Sequence, residues 1–194
     1  MGKLQELATK YGVDKLHSHS YVPFYSELFE GRNIRKVLEI GIGFESLMTP
    51  FVPFFVPGAS LKMWAEYWPE AEIYACDIRP DTLINEGRIH STVCDQSSVA
   101  SVRSMLADYG TDFDLVIDDG SHELDHQIIT ARIIVPVLKE GALYVIEDVR
   151  DPDAVFLGLL SMVRGFPARV DNPEPMQIHR FGKRPDDCLV VIQR

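Results

Sequence analysis

Phe113-Asp-Leu-Val-Ile-Asp-Asp-Gly-Ser-His122 runs apolar, then abruptly acidic, then into Gly-Ser-His. A short apolar run closed by turn residues reads as a buried strand, here Leu115 to Ile117, with Asp118, Asp119 and His122 where that strand must end. Ala142-Leu-Tyr-Val-Ile-Glu-Asp148 has the same form. Two such strands ending side by side bring Asp119, Glu147, Asp148 and His122 around one pocket. Three converging carboxylates are hard oxygen donors, suited to magnesium, calcium or manganese over zinc. Without a cation they would repel and raise one another's pKa. The plainer alternative is that one or more, Asp148 above all, caps a helix or is simply solvated. His122 is placed to take a proton from a substrate hydroxyl, against the alternative of a surface or capping histidine.

Working outward, apolar strand runs and helical periodicity alternate. Helices are expected over 3–11, 23–29, 59–68, from Ser97 or Ser98 onward, over 125–138 and over 153–163, with Pro136 kinking or shortening the fifth. Strands are expected from Lys36 into the turn Gly41-Ile-Gly43, over 72–77 and 88–95, at the two acidic-ended runs, and at 188–192. One more is expected near 168–170 or within 176–181. Residues 14–21 show no periodicity. Phe44 to Pro57, rich in Phe and Pro, reads as an inserted loop, and 183–187 as a hairpin turn. This βαβα order predicts a mostly parallel sheet with helices on both faces, binding ligands outside the carboxyl ends of its strands.

The 194 residues fit one domain of ordinary globular composition, 46% apolar and 25% charged. Residues 1–31 form an N-terminal helical arm in that scheme. No apolar run approaches the roughly 20 residues of a membrane span, and no signal peptide is visible. A net charge of −10 disfavours a nucleic-acid partner. The odd cysteine count (Cys76, Cys94, Cys188) without metal-type spacing reads as reduced thiols in a cytoplasmic protein. Exposed Phe51, Phe54 and Phe55 offer a subunit contact in a homo-oligomer.

Glu39-Ile-Gly-Ile-Gly43 lacks the third glycine of a nicotinamide fingerprint, since position 46 is Ser. Glu-x-Gly-x-Gly followed by a strand-end Asp is instead the pattern of S-adenosylmethionine-dependent methyltransferases. In that pattern Gly41 and Gly43 admit the methionine moiety, Asp77 accepts from the ribose hydroxyls, and Asp95 lies beside the adenine. From about Tyr11 to Val149 the chain resembles the magnesium-dependent sugar O-methyltransferases of macrolide biosynthesis, the macrocin and mycinamicin type, and the related cephalosporin-hydroxylase-like proteins. The resemblance is carried by Asp14-Lys15 with His19, Tyr21, Pro23 and Tyr25, by Leu38-Glu-Ile-Gly41, and by Gly58-Ala-Ser-Leu-Lys-Met-Trp64. It continues through Ile73 to Asp77, Asp95-Gln96, Asp118-Asp-Gly-Ser-His122 and Ile146-Glu-Asp148. It implies a Rossmann-like class I methyltransferase fold with a seven-stranded sheet and an antiparallel C-terminal hairpin strand. It also implies Asp119, Glu147 and Asp148 as magnesium ligands and His122 as general base. Glu39, Gly41, Ser60, Asp77, Asp95 and Gln96 would surround the methyl donor, with Asp118 on the strand rim beside it. His19 and Tyr21 would lie near the cofactor or substrate mouth.

The implied reaction moves a methyl group to a hydroxyl of a small, sugar-containing acceptor with vicinal hydroxyls. The loop 44–57 and the region after Asp151 depart from the family pattern. An aromatic diol acceptor, as in catechol-type magnesium methyltransferases, is the first rival. A nicotinamide oxidoreductase and a non-catalytic binding protein are the others.

Overall fold

The structure, a computed structural model, describes residues 2–44, 56–164, 176–182 and 186–194. The expected subunit contact at Phe51, Phe54 and Phe55, most of the inserted loop, the alternative strand at 168–170 and most of the 183–187 turn lie outside these residues. The chain begins with helices α1 (Lys3–Tyr11), α2 (Asp14–His17) and α3 (Tyr21–Leu28). Strand β1 (Lys36–Ile40), helix α4 (Ala59–Tyr67), β2 (Glu72–Asp77) and β3 (Ile89–Val93) follow. Then come α5 (Val99–Tyr109), β4 (Leu115–Asp118), α6 (Leu124–Ile134) and β5 (Leu143–Ile146). Helix α7 (Pro152–Val163) leads to the hairpin partners β6 (Met176–Arg180) and β7 (Cys188–Gln193).

The sheet order is β3-β2-β1-β4-β5-β7-β6. The first five strands are mutually parallel, and β7 runs antiparallel to both β5 and β6. This is the mixed seven-stranded arrangement expected. Pro136 acts as anticipated: α6 stops at Ile134 and a 3-10 turn, Val135–Val137, holds the proline in its first turn. Residues 14–21 depart from expectation. They contain α2, and α3 starts at Tyr21 rather than Pro23, so proline occupies the first turn, where its missing N–H costs nothing.

Strand periodicity divides the core. Val37, Leu115, Ile117, Leu143 and Val145 face the N-terminal helices and α4. Leu38, Ile40, Val116, Tyr144 and Ile146 face α5, α6 and α7. Successive side chains along a strand point to opposite faces, so strand parity also decides where the acids at the strand ends go. Glu39, Asp119 and Glu147 continue the first face. Asp118 belongs to the second.

Candidate active site

The strand order reverses between β1 and β4, and the crevice beyond the carboxyl ends at such a point is where open α/β sheets bind ligands. A cavity of about 620 Å³ occupies it. Gly41, Gly43, Ser60, Asp77, Asp95 and Gln96 line it, together with Asp119, His122 and Asp148.

Gly41 is a glycine for a steric reason. Its φ is +96°, and a Cβ there would stand 2.0 Å from the carbonyl oxygen of Asp119. The turn after β1 is tied by Asp77, whose Oδ2 accepts from the amides of Ile42 (2.8 Å) and Gly43 (3.3 Å). Asp95 accepts from the amide and hydroxyl of Ser97 through one oxygen. Gln96 bridges two strand ends. Its amide nitrogen donates to Asp118 Oδ1 at 2.5 Å, and its oxygen accepts from Ser121 N at 3.0 Å.

Cys94 and Cys76 also line the cavity, side by side. A hydrogen bond from the Cys76 thiol, then one from the Ser101 hydroxyl, bring Cys94 down to about 7, whereas Cys76 and Cys188 are pushed up. Thiolate is the reactive form. Alkylation of Cys94 should therefore rise through about pH 7 and outpace the other two thiols, and S-adenosylhomocysteine should protect it. Mass-spectrometric labelling across a pH series checks this; labelling indifferent to S-adenosylhomocysteine would remove the cofactor from this side of the cavity.

Asp119, His122 and Asp148 present ligand atoms within 4.8 Å of one another at the cavity wall. His122 Nε2 lies 3.1 Å from Asp119 Oδ1, and Nδ1 lies 3.7 Å from Asp148 Oδ2. Among the described residues, His122 (φ +56°) and Asp148 (φ +52°) are the two non-glycine residues with positive φ. Such backbones cost about 1–3 kcal/mol each and gather at functional sites. The turn at Asp148 redirects its carboxylate toward His122. Tyr21 donates to Asp148 Oδ1 at 2.7 Å, and His19 Nε2 stands 3.5 Å from Oδ2.

Burial disfavours the charged form of His122, but the hydrogen bond to Asp119 and the charges of Asp119, Asp148 and Asp118 outweigh it and raise the imidazole to about 9. Burial, then Asp119, lift Asp148 to about 6 against the pull of His122 and His19. Burial alone lifts Asp118 to about 6 against the hydrogen bonds from Tyr144 and Gln96. Asp119 goes the other way: burial opposes its charge, yet Lys15 and His122 hold it well below the usual range.

Several expected site residues do not line the cavity. Glu147, expected as a third ligand, is one of them. It is 1% exposed, its Oε2 accepts from Lys15 at 2.9 Å, and its Oε1 accepts from Tyr25 at 2.5 Å. Strand parity turns it toward the N-terminal arm, away from Asp148. Glu39 and Asp118 lie behind the cavity wall rather than on it. Glu39 accepts from Trp64 Nε1 at 2.8 Å, and Asp118 accepts from Tyr144 at 2.9 Å. His19 and Tyr21 do not line the cavity; they brace Asp148 from behind. Lys15, to which the sequence assigns no role, is buried with its ammonium 2.6 Å from Asp119 and 3.3 Å from Glu39. Burial opposes its charge, but the surrounding carboxylates keep it protonated. The one sequence signal for it is the Asp14-Lys15 pair of the family pattern.

The sheet order, the switch-point cavity and the acid-histidine cluster define a class I methyltransferase fold. No family model matches the chain. It is homologous to the sugar O-methyltransferases of tetracenomycin and macrolide pathways. It is 37% identical over 147 residues to 8-demethyl-8-alpha-L-rhamnosyl tetracenomycin-C 2'-O-methyltransferase of Streptomyces olivaceus, covering 76% of this chain and 38% of that protein. With demethylmacrocin O-methyltransferase of Streptomyces fradiae it shares 38% over 148 residues, 75% of this chain and 36% of the relative. The MycE methyltransferase of mycinamycin biosynthesis, solved with Mg, SAH and mycinamycin VI, superposes with a TM-score of 0.74 at 27% identity, over 99% of this chain and 54% of that one. The chain thus spans a little over a third of the length of these curated relatives and about half of the solved one.

Proposed function

We propose that the chain is an S-adenosylmethionine- and magnesium-dependent O-methyltransferase domain. Its acceptor would be a hydroxyl of a sugar or other vicinal-diol small molecule of natural-product type. The observation that carries this reading is the Asp119–His122–Asp148 cluster at the wall of the cavity beyond the glycine turn. The carboxylates of Asp119 and Asp148 are hard oxygen donors that fit a magnesium-type cation, and His122 stands beside them within 4.8 Å as the basic group rather than a ligand. The strain at His122 and Asp148 supports the same reading. The described residues include no helix long and apolar enough to cross a membrane, and Cys76, Cys94 and Cys188 are free thiols, in keeping with a cytoplasmic enzyme.

A divalent cation bound there would lower the pKa of the acceptor hydroxyl and orient it. The chain's own residues do the rest. Gly41 and Gly43 leave room for the donor, Asp77 fixes the turn that carries them, and Asp95 and Gln96 shape the far wall. The donor would supply the methyl group, and His122 would accept the proton that the acceptor hydroxyl gives up. At a pKa of about 9 the imidazole is already protonated at neutral pH, so its role as base requires neutralisation of the neighbouring carboxylates. Holding donor and acceptor together in this cavity would supply much of the rate.

Chelator is expected to abolish turnover and added magnesium to restore it, read by methyl transfer from labelled donor. Full activity in excess chelator would end the metal assignment. A panel of glycosides and catechols separates the sugar acceptor from the aromatic diol.

A further inference from the structure

Helix α6 buries Gln127, Thr130, Ala131 and Ile134, the i, i+3, i+4 and i+7 positions of one helical face. Gln127 is 2% exposed, a polar side chain where the helical period calls for an apolar one. It does not line the cavity. Its partner is backbone: Nε2 donates to the carbonyl oxygen of Glu147 at 3.1 Å.

Glu147 is where β5 leaves the sheet. Its amide still donates to Asp118 O at 2.9 Å, and beyond the turn the Val149 amide donates to Cys188 O at 3.1 Å. Between these anchors stands Asp148, left-handed at φ +52°. A non-glycine residue stays in that region only where its surroundings over-determine it. The two backbone anchors are ladder-type bonds of the kind strand ends make. Gln127 adds a third tie, from the helix layer. The carbonyl it holds belongs to the Glu147–Asp148 peptide plane, whose tilt sets φ at Asp148 and the directions of the side chains on either side.

We propose that Gln127 is a positioning residue for the metal site: its amide clamps the Glu147–Asp148 peptide and so fixes where the carboxylates that end β5 point. The inference rests on the magnesium site of the proposed function. Without this donor a buried carbonyl is left unpaired, and the peptide is free to tilt toward another partner. Asp148 would then relax toward ordinary strand backbone, which sends successive side chains to opposite faces of the sheet and would carry its carboxylate off the cavity wall.

The test uses manganese alone, without donor or acceptor, on the wild type, Gln127→Met and Thr130→Val. Calorimetry, the electron paramagnetic resonance of bound manganese and thermal melting are the readouts. Gln127→Met keeps the side-chain length and removes the donor. It should bind manganese about tenfold more weakly, as expected when a group that orients a ligand is lost, and the line shape of the bound ion should change. Thr130→Val is the control for general loosening of α6. Thr130 is fully buried on the same face, and its hydroxyl bonds to Gln96 O at 3.5 Å instead. That variant should melt lower yet keep the wild-type manganese affinity and line shape. If Gln127→Met does not fold, Gln127→Asn, whose amide falls one carbon–carbon bond short of the carbonyl, carries the same expectation. Manganese affinity within about twofold of wild type would reduce Gln127 to a structural hydrogen bond and overturn the proposal. Equal losses in Gln127→Met and Thr130→Val, or failure of both Gln127 variants to fold, would overturn it as well. Wild-type protein that binds no manganese would instead sink the metal site itself, a result distinct from equal binding by wild type and Gln127→Met.

Discussion

Replacing His122 with alanine is expected to lower kcat by about 10²–10⁴-fold, the usual contribution of a positioned general base. S-adenosylhomocysteine affinity should stay near wild type. The physical basis is where the imidazole stands: its two nitrogens face Asp119 and Asp148, and its side chain is 27% exposed at the cavity. Truncation removes a proton acceptor without opening the core. Asp119 keeps its Lys15 partner and Asp148 keeps its Tyr21 hydrogen bond, so the fold has no unpaired carboxylate to accommodate. Alanine inherits the same positive φ, so backbone strain is unchanged. Steady-state kinetics beside calorimetry with S-adenosylhomocysteine decides the matter. Parallel loss of binding and turnover would make His122 a structural residue, and a kcat within about tenfold of wild type would give the proton to another group.

Gly41→Ala is expected to cost about 3 kcal/mol or more, read as a fall in Tm on the order of 10 °C, and to prevent S-adenosylhomocysteine binding. Two penalties coincide there. A side chain at φ +96° is strained, and its Cβ would sit 2.0 Å from the Asp119 carbonyl. That carbonyl cannot retreat easily, because the Asp119 amide is bonded to Ile40 O at 2.9 Å, and Gly41 N to Cys76 O at 2.8 Å. Gly12 provides the control. Its φ is +64°, but a Cβ added there would meet nothing within 4 Å, so Gly12→Ala should show the backbone penalty alone, about 1 kcal/mol. Equal melting temperatures for the two variants would refute the steric argument.

The sheet was legible because buried parallel strands write themselves as short apolar runs, and five of these ended in glycine or an acid. The helix at Asp14–His17 was not, since four residues carry no period to read. Parity along the strands, a property of residue spacing, is enough to separate Glu39, Asp119 and Glu147 from Asp118. What parity could not supply was the partner. Lys15 lies 104 residues from Asp119 and 132 from Glu147, and nothing local marks a lysine for burial.

By itself, then, the sequence determined the alternation of elements, the strand-end acids and the glycine turn, because these depend on local periodicity and residue chemistry. Only the tertiary structure decided how the acids divide. The N-terminal arm delivers an ammonium to one group, left-handed backbones at His122 and Asp148 turn the other toward the cavity, and both depend on contacts between segments far apart in the chain.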